Sequence, residues 1–434
     1  MQLKKVKAIT LGCKVNQYET EAMLEKLQKN DFEIVDYDEI ADIYLINTCT
    51  VTNLSDRKSR QLIRRSKREN PNSIVVVAGC YSQIKPEEIE NMPEVDIIIG
   101  TSDKLKISDV LIEYIRGNKV NIVKELDRVS DFEDININNM NDMTRAYIKI
   151  QDGCNMFCSY CIIPYARGRV RSRNLKSIAD EVKRLADNGY KEIVLTGIHV
   201  ASYGKDFKDI KLIDAIETIA KVDKIERIRL SSIEPNLIDE DFLKRLKNID
   251  KICDHFHMSL QSGSDKILKL MNRKYDYKSY LEKTKLIRKY YPNAGLTTDI
   301  IVGFPYETDE DFQKSVDAVK EINFSKIHVF KYSKREGTPA ANMKLQIPGD
   351  IKNERSEKLI GIGEKYAKIF NEGFIDKTLD VLFEKSDGEY FKGHSTNYIP
   401  IKVKSDKDIT NQNLRVYIES IDPINPDGLI GKLI

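Results

Sequence analysis

The stretch DGCNMFCSYCIIP, residues 152–164, carries Cys154, Cys158 and Cys161 in the spacing C-x3-C-x2-C, with Tyr160 just before the last thiol. Three thiols in so short a loop are poorly explained as three small buried apolar side chains. Two metal chemistries compete for them. Structural zinc takes four closed ligands, and neither His nor Cys follows at finger spacing. An iron–sulfur cluster accepts a sulfur-only set. Three cysteines would hold three irons of a cubane and leave the fourth open, and the run itself does not name the fourth ligand.

A second set is spread out. Cys13, Cys49 and Cys80 each end an apolar run: VKAITLGC, DIYLINTC and SIVVVAGC. Singly, each reads as core. Together they mark the carboxyl ends of three expected parallel strands, where open α/β sheets gather ligands. Cys253 fits neither set and reads as core. No Ser-His-Asp arrangement and no Walker-type phosphate loop is visible. His255 and His257 share one strand face and read as barrel filling, because no third metal ligand is suggested.

These side chains need a scaffold. A chain of 434 residues exceeds a single small core and predicts two or three domains. Seven cysteines, an odd number, do not make a secreted disulfide framework. The N-terminus lacks the apolar core of a secretory signal, and no stretch approaches ~18 apolar residues. The expected compartment is reducing cytosol, with no membrane partner. A net charge of +2 confines any nucleic-acid surface to a local patch.

The expected fold class is α/β. Residues 1–125 alternate strands with helices over ETEAMLEKLQKN and RKSRQLIRRSKREN, forming a parallel-sheet domain. Residues 126–144, polar and Asn-rich, read as a linker. Residues 145–370 hold six strand–helix units, AYIKIQ, EIVLTGIH, IERIRLSS, HFHMSLQS, LTTDIIVG and KIHVFKYS, predicting a partial TIM-like barrel. Its first strand ends at the three-cysteine loop. Residues 371–434 read as short antiparallel strands closing a small β-barrel.

The spacing C-x3-C-x-aromatic-C resembles the radical S-adenosylmethionine (SAM) superfamily, with Tyr160 at the aromatic position. That resemblance implies a 4Fe–4S cluster whose open iron is chelated by SAM. The words LGCKVNQ, NTCTVT and AGCYSQ, with RGRVRSR, LTGIHVASYG, LQSGSDKILKLMNRKY and TTDIIVGFPYET, resemble the methylthiotransferase family along the whole chain. TLGCKVNQYETEAM is most similar to the branch acting on threonylcarbamoyl-adenosine of tRNA, beside the anticodon. Other branches act on isopentenyl-adenosine or a ribosomal-protein aspartate. An RNA-binding iron–sulfur protein without catalysis is the reading from another class.

The resemblance implies that Cys13, Cys49 and Cys80 hold a second 4Fe–4S cluster that presents sulfur, and that the small barrel is a TRAM domain. It implies replacement of an adenine C–H by C–SCH3. That hydrogen is not acidic, so a radical rather than a side-chain base must take it. SAM serves as radical source and methyl donor, and a flavodoxin- or ferredoxin-type electron donor and a sulfur source are implied partners. SAM contacts are expected from Tyr160, from Gly197, Ser231, Glu234 and Gln261 at barrel strand ends, and from Arg273 as a carboxylate fork. Asn16 is expected to steady the sulfur-carrying cluster.

RNA contact is expected on two basic words. Arg57, Arg60, Arg64 and Arg68 recur at helical spacing in RKSRQLIRRSKR, which holds no acid. Arg167, Arg169, Arg171 and Arg173 alternate in RGRVRSR beside the first cluster loop. From residue 372 onward, 8 Lys+Arg face 11 Asp+Glu, so RNA contact there needs a local face such as Lys392, Lys402, Lys404, Tyr390, Phe391 and Tyr398.

Overall fold

The computed structural model describes residues 4–114, 117–140 and 143–434. Strands β1 (Lys4–Thr10), β2 (Phe32–Ile34), β3 (Ile43–Thr48), β4 (Ile74–Gly79), β5 (Ile97–Ile98) and β6 (Val120–Asn121) form one parallel sheet in the order β2-β1-β3-β4-β5-β6. Every residue of β3 and β4 is buried. Alternate side chains feed two cores on opposite faces: Leu45 and Val76 on one, Tyr44, Ile46 and Val77 on the other. Burial on both faces is why these strands read as unbroken apolar runs. Helix α1 spans Lys14–Gln28, and α2 spans Asn53–Glu69. The Thr52 hydroxyl caps α2 by accepting from the Ser55 amide at 3.2 Å, and the helix ends at Asn70, before Pro71.

The second body holds β7 (Arg145–Asp152), β8 (Arg171–Ser172), β9 (Glu192–Gly197), β10 (Arg227–Leu230), β11 (His255–His257), β12 (Gly295–Val302) and β13 (Lys326–Lys331). β7, β9 and β10 pair in parallel, as do β11, β12 and β13. Isolated parallel bridges, Ile228 to Ile252 and Ile233 to Met258, join the two sets into a six-unit open barrel. The short β8 adds antiparallel to β7. Helix Gly349–Glu372 covers the β13 edge. It lies so close that a Cβ on Gly363 would sit 2.4 Å from Ile327 Cγ1.

The stretch expected as a linker is a packed strap in its described part; residues 141–142 lie outside the described residues. Ile135, Ile137 and Met140 are buried in the barrel core. The Ile137 amide donates to Glu181 Oε1 at 2.7 Å, and the Asn138 amide donates to Glu25. Its polar composition concealed three apolar anchors.

Strands β14 (Thr378–Ser386), β15 (Phe391–Ser395), β16 (Pro400–Val403), β17 (Asn413–Ile421) and β18 (Leu429–Leu433) close a five-stranded barrel. Its pairing differs from expectation at one place, because β16 and β18 run parallel. This barrel docks on β10. Arg227 donates to the carbonyls of His394 and Asp380, and Arg229 to those of Thr396 and Ser395. Among the described residues, no helix is long and apolar enough to cross a membrane.

Candidate active site

A cavity of about 990 Å³ opens between the first sheet, the open barrel and the small barrel. Cys13, Cys154, Cys158 and Cys161 all line it. Cys49 and Cys80 are not in its lining, but Cys80 is near enough to act electrostatically on both Cys13 and Cys49. Their grouping depends on tight turns at the strand ends. Gly12 has φ +103°, and a Cβ there would lie 2.8 Å from Cys49 Cβ and 3.0 Å from its Sγ. Cys80 opens a one-turn helix directly after β4.

Asn16 ties the first two loops together. Its side-chain amide donates to the carbonyls of Leu11 at 2.7 Å and Thr48 at 3.0 Å, while Asn47 donates back to its carbonyl. Arg167 completes the arrangement from the barrel side. It donates to Cys80 Sγ at 3.4 Å, Asn16 Oδ1 at 2.7 Å and Glu19 Oε1 at 2.6 Å.

The second trio lies in the loop after β7. Gly153, with φ +70°, passes Arg169 so closely that a Cβ would meet its carbonyl oxygen at 1.8 Å. The Cys154 amide donates to the Gly168 carbonyl, and Ser159 anchors to the carbonyls of Leu270 and Met271. Arg273 donates to Cys158 Sγ at 3.3 Å and pairs with Glu234 at 2.9 Å. Tyr160 packs edge-on against Phe304 in a cluster with Met271 and Tyr332, fixing the loop while bordering the cavity.

The thiols are costly to ionise without a counter-charge. Burial raises Cys49 and Cys154 to about 11 and Cys161 to about 12, with neighbouring cysteines adding to each rise. Cys13 is solvent-accessible, but its accessible face opens into the cavity, and the surrounding protein raises its thiol too. A polycationic iron core would supply the missing charge, since ligand thiols bind deprotonated. Among the described residues, no three His, Cys, Asp or Glu side chains form a group that could hold a single metal ion. Each trio supplies three sulfur donors, one short of the four of structural zinc, and suits an iron–sulfur cluster.

Around the second trio the cavity wall is polar. Gly197 ends β9, with room for a Cβ only 3.0 Å from the Gln151 amide oxygen. Thr196 Oγ1 and Ser231 Oγ are buried with no hydrogen-bond partner among the described residues, and both residues line the cavity. Such orphaned hydroxyls suit the polar groups of a bound cofactor. Glu234 is set behind the wall. Burial would raise its carboxyl, but His199 and Arg273 outweigh that and hold it below the usual range. Gln261 departs from expectation. β11 ends at His257, and Gln261, with φ +67°, bridges to Ile300 away from the cavity lining. His257 bonds Asp299 at 3.1 Å, both His255 and His257 reach the Thr297 hydroxyl, and both line the cavity.

The two basic words differ from expectation in their exposure. Arg167, Arg171 and Arg173 are buried, not presented to solvent. Arg167 and Arg171 face Asp152, and Arg173 pairs with Glu181 and Asp134. An arginine buried against carboxylates is not available to phosphate. Arg169 is exposed, with its guanidinium over the Phe157 ring. On α2, Arg57, Arg64 and Arg68 are exposed, whereas Arg60 donates to Tyr81 and Glu88. In the small barrel, Lys392, Lys402 and Lys404 each pair with an acid, and the last two lie over the Tyr390 ring.

Three cavity residues were not expected from sequence. Tyr398, on the small barrel, enters the cavity and stacks between His255 and His394, beside the guanidinium groups of Arg145 and Arg229. Burial would raise its phenol, but Arg145 and Lys14 outweigh that and lower it. Arg229 pairs with Glu192 at 2.6 Å. Lys14 reaches over Tyr147, and burial lowers its pKa. Its place directly after Cys13 was the one available signal.

Residues 148–319 match the family model described as Radical SAM superfamily, and residues 5–100 match Uncharacterized protein family UPF0004. The fold is like that of the radical S-adenosylmethionine methyltransferase TsrM from Kitasatospora setae, with a TM-score of 0.57 and 15% identity over 78% of this chain and 77% of that one. An open parallel barrel with three cysteines after its first strand, matching that superfamily, defines a radical SAM enzyme, which uses SAM and a 4Fe–4S cluster. Threonylcarbamoyladenosine tRNA methylthiotransferase MtaB of Bacillus subtilis (strain 168) is 42% identical across 94% of this chain and 92% of its own. The protein of the same name from Aquifex aeolicus (strain VF5) is 40% identical across 93% and 98%. The chain belongs to the tRNA methylthiotransferase family.

Proposed function

We propose that this transferase methylthiolates adenine C2 of N6-threonylcarbamoyladenosine beside the anticodon of tRNA. The observation that carries the reading is the cavity shared by Cys13 and the whole second trio. When bound, SAM on a 4Fe–4S cluster supplies one-electron chemistry able to remove an unactivated aromatic hydrogen, and a second such cluster supplies sulfur.

Cys154, Cys158 and Cys161 hold the first cluster; Cys13, Cys49 and Cys80 hold the second. Arg273 sits against Cys158 and, with Glu234 fixing its fork, is oriented toward the cavity. Gly197 lets the SAM-side backbone approach closely, and the Thr196 and Ser231 hydroxyls offer it hydrogen bonds. Tyr160 keeps the loop rigid. Arg167 balances charge at Cys80, and Asn16 keeps the Cys13 and Cys49 loops in register. Exposed Arg57, Arg64, Arg68 and Arg169 contact tRNA phosphates, which fix position rather than sequence.

The functional units are 1–125, 145–370 and 371–434, with 126–144 as the strap. A flavodoxin- or ferredoxin-type donor and a sulfur source serve the enzyme in the cytoplasm. The test is mass spectrometry of tRNA nucleosides from a deletion strain. Threonylcarbamoyladenosine should lose its methylthio group and regain it with the intact gene but not with Cys49→Ala. Full methylthiolation in the deletion strain would refute the assignment.

A further inference from the structure

Four Lys or Arg side chains line the cavity: Lys14, Arg229, Arg273 and Lys326. Three are matched by carboxylates, Arg229 by Glu192, Arg273 by Glu234 and Lys326 by Asp427. Among the described residues, Lys14 has no acid partner. Nζ lies 5.6 Å from the centroid of the Tyr147 ring; Tyr398 and Glu192, the latter already paired with Arg229, favour its charge electrostatically, against Arg145 and Arg229. A second group nearby is equally unanswered. His255 is only 6% exposed, lines the cavity and, among the described residues, has no partner for Nδ1, while its Nε2 is engaged by Thr297. A cation without an anion and a buried imidazole nitrogen without a partner are both costly unless a ligand answers them.

The geometry points to Lys14, assisted by His255 Nδ1, as the subsite that grips the carboxylate of the substrate's N6 side chain. The inference rests on the substrate reading above and deepens it. In adenine, C2 and C6 both flank N1, so a substituent on N6 lies on the same edge as C2. Whatever delivers sulfur to C2 must stand beside whatever holds the N6 tail. Lys14 is covalently next to Cys13, the member of its trio that faces the cavity. Arg145 and Arg229 flank Tyr398 but are themselves paired, with Glu384 and Glu192, which leaves Lys14 as the unpaired cation at this depth of the cavity among the described residues.

The test uses the reconstituted holoprotein and synthetic anticodon stem–loop RNAs that differ only in the N6 tail: the free threonyl acid, its methyl ester, and dimethylallyl. Binding is read by fluorescence anisotropy. A charge-assisted contact predicts that wild type binds the acid about 10–100-fold more tightly than the ester. Lys14→Met should remove that preference, and Lys14→Arg should keep most of it. Iron content and the EPR spectrum of Lys14→Met should match wild type, which separates loss of the subsite from damage at Cys13. Equal wild-type binding of acid and ester overturns the subsite. So does a Lys14→Met protein that still prefers the acid. Tighter wild-type binding of the dimethylallyl RNA than of either threonyl RNA overturns the substrate reading as well.

Discussion

Replacing Glu19 with glutamine should destabilise the protein more than almost any other conservative change. Glu19 has no solvent exposure and is gripped by Lys104, by Lys149 at 2.7 Å and by Arg167 at 2.6 Å. Burial would raise its carboxyl, but these three cations hold it well below the ordinary value. The amide keeps the shape and removes the charge, leaving Lys149 and Arg167 paired with Asp152 and, among the described residues, Lys104 with no ion-pair partner. Breaking a buried ionic group in this way costs about 3–5 kcal/mol. At about 2.1 cal/mol/K per residue, the 434-residue chain unfolds with an entropy of about 0.9 kcal/mol/K, so its melting temperature should fall by about 3–6 °C if it melts as one unit. The pH dependence has a definite sign. A carboxyl whose folded pKa is depressed adds stability above its unfolded value and loses it as pH falls through the folded one. The gap between wild type and Glu19→Gln should therefore be full at neutral pH and narrow only below the ordinary glutamate value of 4.5. Calorimetry over a pH series reads both effects. A shift below about 1 °C at neutral pH, or a gap that does not close in acid, would refute the buried-network argument.

Gly153→Ala should abolish iron binding by Cys154, Cys158 and Cys161 while leaving the other trio's iron in place, because the new methyl would meet the Arg169 carbonyl at 1.8 Å; iron analysis of the purified variant checks this. Changing Arg57, Arg64 and Arg68 together to glutamine should weaken tRNA binding about equally for all sequences and reduce the log–log salt slope by about three, whereas the same change at buried Arg171 should alter stability instead. Burial raises the Glu307 carboxyl to about 7 despite Arg355 and the amides of Gly303 and Phe304. The folded state therefore binds this proton more tightly than the unfolded one, and stability should fall between pH 4.5 and 7; Glu307→Gln should flatten that fall in denaturant titrations.

What the sequence disclosed follows from which interactions are local. The second trio is contiguous, and its loop sits at a strand end, so its chemistry is legible from spacing. Cys13, Cys49 and Cys80 are far apart, but each closes a strand buried on both faces, and such strands announce themselves as apolar runs. The burial of three arginines of RGRVRSR is not legible locally, because alternation looks the same whether the partner is a phosphate or a distant carboxylate. Here the partners are Glu19, Asp134, Asp152 and Glu181, brought in by other elements. Gln261 falls outside the cavity lining because β11 stops after three residues and the chain turns left-handed before returning to β12. Tyr398 could not be assigned to the cavity because its position depends on how the small barrel docks through Arg227 and Arg229. The parallel β16–β18 pair is likewise a product of barrel closure, which no local pattern encodes.

The central claim is that two separate three-cysteine sets each grip an iron–sulfur cluster, and iron and sulfide counting on trio variants tests it most directly. After anaerobic reconstitution, wild type should hold about eight irons, and the triple alanine variants of either trio about four each, with SAM perturbing the EPR signal only where Cys154, Cys158 and Cys161 remain. A Cys13/Cys49/Cys80 triple variant that still binds about eight irons would contradict the account.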